Sequence, residues 1–193
     1  MNFDVKSVIF IFTVINGNIN LLIKDNNFIE INCTQELDLL SHKYVCENIG
    51  IENIDLNQVY TYSKKEDEKI YINVLYVGLV NIDLIKLKAG FEFTQLQDLY
   101  RNNIYIEKSL EYLRKYLTLN DSIIKIYPNE FSLPEIQKLY ESLLGVKIDR
   151  RNFRKKLINQ DIIEPLGELS SGKMGRPASL YRFKKTDEQK ILI

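Results

Sequence analysis

At 193 residues, 45% of them apolar, the chain can form one large domain or two small ones with a core that needs no covalent staples. That composition excludes a disordered polypeptide. Formal net charge is zero, yet residues 130–193 hold thirteen Lys/Arg against nine Asp/Glu, whereas residues 1–129 hold thirteen against seventeen. An acidic part joined to a basic part suggests two jobs, one of them facing a polyanion.

The two cysteines, Cys33 and Cys46, are thirteen positions apart and form no CxxC pattern, and His42 is the single histidine. No metal site and no cofactor follow from that inventory, and free thiols suit a reducing compartment. Val8 to Ile15 is apolar, but Asp4 precedes it and Asn16-Gly17 turns the chain into a second apolar stretch. A hairpin fits better than a leader peptide. No run approaches the roughly eighteen apolar residues of a membrane helix. The expectation is a soluble, cytoplasmic protein with no membrane partner.

In chain order, Val8–Val14 and Ile19–Ile23 read as strands around the Asn16-Gly17 turn. Thr34 can cap a helix that runs to Ile49, with Leu37, Leu40 and Tyr44 on one face and Gly50 as its left-handed stop. Leu56–Ser63 and Ile70–Val80 read as two strands joined by the charged turn Lys64–Lys69. Phe93 opens a helix-like stretch through Tyr100, and Ile106, Leu110, Leu113 and Leu117 space a helix over Ile104–Leu117. This order predicts an α/β layered domain over residues 1–120.

Residues 120–129 read as a linker, and the pattern then changes. Ser132 and Glu135 form a capping box, with Pro134 tolerated in the first turn. Ile136, Leu139, Tyr140, Leu143 and Leu144 stripe a helix that stops at Gly145. Asp149 caps a second helix with Phe153 and Leu157 facing inward. Two strands, Ile162–Leu169 and Ala178–Phe183, flank the tip Ser170–Pro177. Helix, short turn, basic helix, hairpin is the order of a winged helix-turn-helix, here predicted over residues 130–185.

The chemistry concentrates in this second unit. Lys147, Arg150, Arg151, Arg154, Lys155 and Lys156 are six cations within ten residues, opposed only by Asp149. That acid sits at the N-cap, where the helix dipole favours it. Arg150, Arg151 and Asn152 lie in the first turn, the part of a reading helix that reaches base edges. Arginine pairs with guanine and asparagine with adenine through paired hydrogen bonds. Arg154, Lys155 and Lys156 lie further along, where a helix face meets phosphate. In the tip, Gly172 and Gly175 keep the backbone open while Lys173 and Arg176 project cations towards a phosphate backbone or a minor groove.

Four stretches carry a resemblance: Phe-Ser-Leu-Pro-Glu-Ile-Gln-Lys-Leu-Tyr-Glu (131–141), Leu-Leu-Gly (143–145), Asp-Arg-Arg-Asn-Phe-Arg-Lys-Lys-Leu (149–157) and Gly-Arg-Pro-Ala-Ser-Leu-Tyr-Arg-Phe (175–183). Together they resemble the C-terminal winged helix of the NrtR family, the Nudix-related transcriptional regulators of bacteria. The resemblance implies an N-terminal domain of Nudix type, an α/β fold with a mixed sheet and helices. It also implies an operator as partner and ADP-ribose or another phosphorylated sugar as effector. The Nudix motif sets five positions after a glycine, a glutamate, seven positions, then Arg-Glu-Φ-x-Glu-Glu-x-Gly-Φ, with Φ aliphatic. Its glutamates hold magnesium against a diphosphate. Here the motif aligns with Lys43-Tyr44-Val45-Cys46-Glu47-Asn48-Ile49-Gly50-Ile51, and its upstream Gly and Glu fall on Ile29 and Gln35. Only Glu47 and Gly50 survive. One carboxylate cannot organise magnesium for diphosphate hydrolysis. The expectation is therefore a homodimeric DNA-binding repressor with no catalytic residue. Its rivals are residual Nudix hydrolysis of a nucleoside diphosphate derivative, and a winged helix that binds protein.

Overall fold

The computed structural model describes residues 2–96, 102–119, 126–159, 161, 163–168 and 179–184. Its organising strand is β1 (Asn2–Ile15), fourteen residues long and buried on both faces from Ser7 to Val14. A near-continuous run of Val, Ile and Phe suits a strand covered on both sides. It turns at Asn16 and Gly17, both in the left-handed region, into β2 (Asn18–Lys24), as the Asn-Gly signal predicts. Then follow β3 (Ile29–Asn32), α1 (Leu37–Tyr44), β4 (Leu56–Glu66), β5 (Lys69–Leu79), β6 (Phe91–Gln95) and α2 (Ile104–Leu119). The sheet runs β4-β5-β1-β2-β6, with β3 beside the first half of β1. β1 and β5 are parallel and the other pairings antiparallel, so the sheet is mixed.

Alternate residues of β1 feed two different cores. Ile9 and Ile11 point into a cluster with Leu22, Ile29, Val45, Ile49, Ile51 and Ile54, which α1 and its continuation cover. That continuation, Val45–Ile49, widens into a π-helix and stops at Gly50, where φ is 90°. Tyr76 of β5 donates its hydroxyl to the Asp38 carboxylate of α1. Burial, then the hydrogen bond to Asp38, push the Tyr76 phenol well above its ordinary value. Ser41 donates to the Leu37 carbonyl at 2.6 Å and sits 2.7 Å from the buried Ser7 hydroxyl, the second polar tie between this helix and the sheet.

Val8, Phe10, Phe12 and Val14 point the other way. They share one continuous core with Ile106 and Leu113 of α2 and with Tyr127, Phe131, Ile136, Leu139, Tyr140, Phe153, Leu157, Ile163 and Tyr181 of the C-terminal unit. That unit comprises β7 (Phe131–Ser132), α3 (Leu133–Leu144), α4 (Arg150–Asn159), β8 (Ile163–Glu168) and β9 (Ser179–Phe183), with its strands ordered β7-β9-β8. The two units dock at several points besides. A Cβ on Gly17 would lie 2.6 Å from the Glu135 carbonyl oxygen, so the β1–β2 turn abuts the first turn of α3. Arg114 of α2 donates to the Leu143 carbonyl near the other end of the same helix. The Asn129 amide donates to Asp83 at 2.8 Å, and Asn81 to the Asn129 side chain at 3.3 Å.

Several sequence expectations change. Phe93–Gln95 is strand, not the start of a helix, because Phe91 and Phe93 pack on the Ile9 side of the sheet while the backbone pairs with β2; residues 97–101 lie outside the described set. β3 was not foreseen, and β1 begins at Asn2 rather than Val8. Helix α1 starts after Glu36, without a side-chain cap, so Thr34 does not cap it. Within the expected linker, Ile126 and Tyr127 are core residues at 0% and 2% exposure.

Candidate nucleic-acid interface

The interface is built outward from α3. The predicted capping box forms: the Glu135 carboxylate accepts the Ser132 backbone N–H at 2.7 Å, the Ser132 side chain faces the Glu135 backbone N–H, and the Ser132 hydroxyl also donates to the carboxylate at 2.8 Å. The helix buries Ile136, Leu139, Tyr140 and Leu143 and ends at Gly145 with φ of 68°. Five residues later α4 begins. Asp149 caps it by accepting the Asn152 N–H at 2.8 Å. Phe153 and Leu157 anchor it, at 4% and 1% exposure, and the Phe153 ring meets Tyr140 edge-on at 5.8 Å.

Those two anchors set the phase of the cations. Successive side chains turn by about 100° around a helix. Lys155 then points directly away from the Phe153–Leu157 stripe, with Arg151 and Asn152 within about 60° of it on either side. Arg154 and Lys156 fall on opposite flanks, and Arg150 lies nearest the core side in the first turn. All six of these side chains are exposed. Helix phase thus puts Lys155 on the face of Arg151, one turn further on. Among the described residues none of these five cations is held in an ion pair. Lys147, in the turn, is 95% exposed and lies 3.4 Å from Glu141. Next to α4, β8 and β9 pair from Ile163↔Phe183 to Glu168↔Ser179, with an Arg182–Glu164 ion pair across them. Lys173 and Arg176, in the tip between these strands, lie outside the described residues.

Sequence reasoning missed the hardware of the turn. Glu141 Oε1 accepts the Ile148 backbone N–H at 2.9 Å, and the Gln137 amide donates both to Glu141 (3.0 Å) and to the Ile148 carbonyl (3.0 Å). The bond from Ile148 and the one from Gln137 hold the Glu141 carboxyl below the ordinary glutamate range. The only available signal was the i, i+4 spacing of Gln137 and Glu141.

The N-terminal unit offers much less chemistry where a Nudix motif would carry it. Glu47, Asn48 and Cys46 are exposed on the π-helical turn and Tyr44 is half-buried. The Lys88 ammonium caps that turn by donating to the Glu47 carbonyl. Glu30 is paired with Lys6 at 3.1 Å, and Asp38 is taken by Tyr76. Among the described residues no three His, Cys, Asp or Glu side chains converge as metal ligands.

The fold therefore joins a winged helix-turn-helix to a mixed-sheet α/β domain. Comparison with known proteins narrows that description. Residues 123–183 match the family described as the NrtR DNA-binding winged helix domain, a match that spans the C-terminal unit from Phe131 to Phe183. The chain is 26% identical over 173 residues to the ADPR responsive transcriptional repressor NtrR of Acinetobacter baylyi, covering 83% of this chain and 68% of that one. In fold it is similar to Shewanella oneidensis NrtR crystallised with a 27mer DNA, at 19% identity and a TM-score of 0.63, covering 93% of each chain. A MutT/nudix family protein from Enterococcus faecalis shares the fold at 15% identity and a TM-score of 0.58, over 96% of this chain and 89% of that one. No helix among the described residues is long and apolar enough to cross a membrane.

Proposed function

We propose that the chain is a transcriptional repressor of the NrtR type that binds an operator as a homodimer, acting in the cytoplasm where its DNA lies. Residues 1–120 form the Nudix-like domain and residues 130–185 the reading head. The observation that carries this reading is the outward face of α4: Arg151, Asn152 and Lys155 are exposed, unpaired among the described residues and held in phase by buried Phe153 and Leu157. Arg151 and Asn152 read base edges. Arg150, Arg154 and Lys156, with Lys147 in the turn and Lys173 and Arg176 on the wing, meet phosphate. Lys155 serves the reading face.

The Nudix-like domain serves as partner surface and sensor. The Acinetobacter relative's name, ADPR responsive, makes ADP-ribose the effector to test first, and other phosphorylated sugars share its chemistry. With Tyr44 and Asn48 in place of motif glutamates, the domain senses without hydrolysing. Incubation with ADP-ribose and magnesium or manganese therefore releases no product above a no-protein control.

The decisive experiment measures binding to a duplex selected by the wild-type chain from a random-sequence pool, beside a scrambled duplex, across a salt series. Arg151→Ala and Asn152→Ala each erode the preference by about 1–3 kcal/mol. Arg154→Ala and Lys156→Ala weaken both duplexes alike and lower the salt slope by about one unit. Unchanged affinity after charge removal throughout 150–156, or selection of no preferred duplex at all, refutes the reading.

A further inference from the structure

A reading helix must be held to within about 0.5 Å and 10–20° for paired base contacts to form. Apolar packing alone does this poorly, because Phe153 and Leu157 define which side of α4 faces inward but resist sliding and small rotations only weakly. Residues 145–149, which join α3 to α4, need a polar device of their own. Glu141 and Gln137 supply one. The Glu141 carboxylate accepts the Ile148 N–H, the Gln137 amide grips the Ile148 carbonyl, and the two side chains bond to each other. Both polar groups of a single backbone residue are thereby tied to α3. The next residue, Asp149, is the N-cap, and its carboxylate takes the Asn152 N–H. An unbroken series of bonds and one covalent link thus runs from the buried helix to the backbone of Asn152, one of the two base-reading residues.

We propose that Glu141 and Gln137 are positioning residues for operator recognition, which set the register of α4 on α3 without touching DNA themselves. This rests on the reading of α4 as the DNA-reading helix. Charge makes the proposal separable from a bland surface role. Glu141 is an acid beside Lys138 and Lys147 on the cationic side of the molecule. As a mere surface charge, its removal would tighten binding to every duplex, because repulsion from phosphate is relieved. As a positioning residue, its removal costs preference while leaving non-specific binding unchanged or stronger.

The test uses the full chain, the pool-selected duplex and the scrambled duplex. Glu141→Ala is expected to lower the preference about tenfold, the equivalent of one partly lost base contact, without weakening the scrambled duplex. Glu141→Gln keeps an oxygen acceptor for Ile148 and retains the preference within about twofold. A double-mutant cycle adds a readout that plain destabilisation does not move: Asn152→Ala costs less preference in the Glu141→Ala background than in wild type, although the two side chains do not touch. Should Glu141→Ala fail to fold, Gln137→Ala, which removes the bonds to the Ile148 carbonyl and to Glu141 but leaves the Glu141–Ile148 bond, decides the matter with an expected loss of about threefold. Preference intact in the folded variants, or tighter binding to both duplexes alike, overturns the proposal. A wild-type chain that selects no duplex overturns instead the DNA-reading assignment beneath it.

Discussion

Two helices in this molecule, α1 with its π-helical continuation and α4, have the same construction and opposite outward faces. Each is anchored through a few inward positions: Ser41, Val45 and Ile49 in one, Phe153 and Leu157 in the other. The first turns Lys43, Cys46, Glu47 and Asn48 to solvent, with a single carboxylate among them, and Lys88 closes its end. The second turns out five cations and two asparagines, with the one acid beside it spent on the cap. Inward positions decide which side of a helix packs, so a fold outlasts its chemistry. A likeness in fold to Nudix proteins is therefore a statement about inward residues, and activity has to be argued from the outward ones.

The comparison can be broken first at the anchors. Phe153→Ala removes a buried ring from a core that runs unbroken from β1 to α4, and should cost about 3–5 kcal/mol. Because that core is shared, thermal melting followed by circular dichroism should show the whole chain moving to lower temperature. A separate, early transition of the C-terminal unit alone would show that the two units stand independently.

The contact between the units comes next. Gly17 sits at φ of 71°, and a Cβ there would press on the Glu135 carbonyl. Gly17→Ala should cost about 1–3 kcal/mol from backbone strain alone, read from the denaturation midpoint. A cost no larger than that strain would mean that the β1–β2 turn does not bear on α3, because the contact with the Glu135 carbonyl should add to it.

Acid titration sharpens the contrast between Glu141 of α3, which holds the chain leading into α4, and Glu47 beyond α1. Glu141 is held below its ordinary range in the folded chain, first by the Ile148 N–H and then by Gln137. Its contribution is therefore complete above the unfolded glutamate value and disappears as pH falls through the lower, folded value. Glu141→Gln should flatten the acid limb of the stability profile below the ordinary glutamate range. An identical acid limb in wild type and variant would remove the Glu141 clamp from the account. The smallest effect belongs to Glu47. As an exposed surface residue it should change stability by less than about 0.5 kcal/mol when replaced by glutamine, and leave duplex binding unchanged. A large loss of ADP-ribose response in Glu47→Gln, with fold and duplex binding intact, would give that surviving carboxylate a role after all.

Local chemistry by itself determined much of this protein. Asn16-Gly17 specifies a hairpin turn, Ser132 with Glu135 a helix start, Gly50 and Gly145 helix stops, and the 3.6-residue spacing of Ile136, Leu139, Tyr140 and Leu143 a buried face. Each rests on interactions within a few residues, so sequence reveals them directly. The cationic run from Lys147 to Lys156 was legible for the same reason. What tertiary structure alone decided involves partners distant in sequence. Phe91–Gln95 became a strand because β2 offered an unpaired edge and the Ile9 face a place for two phenylalanines, overriding any local helical preference. Ile126 and Tyr127 left the expected linker for the core because β1 presents Phe10 and Phe12 on the side where the C-terminal unit docks. Gln137 and Glu141 took hold of Ile148 because the turn at Gly145 folds the chain back onto α3. Backbone pairing and side-chain reach are set by where separate elements come to rest, and composition and periodicity carry no record of that.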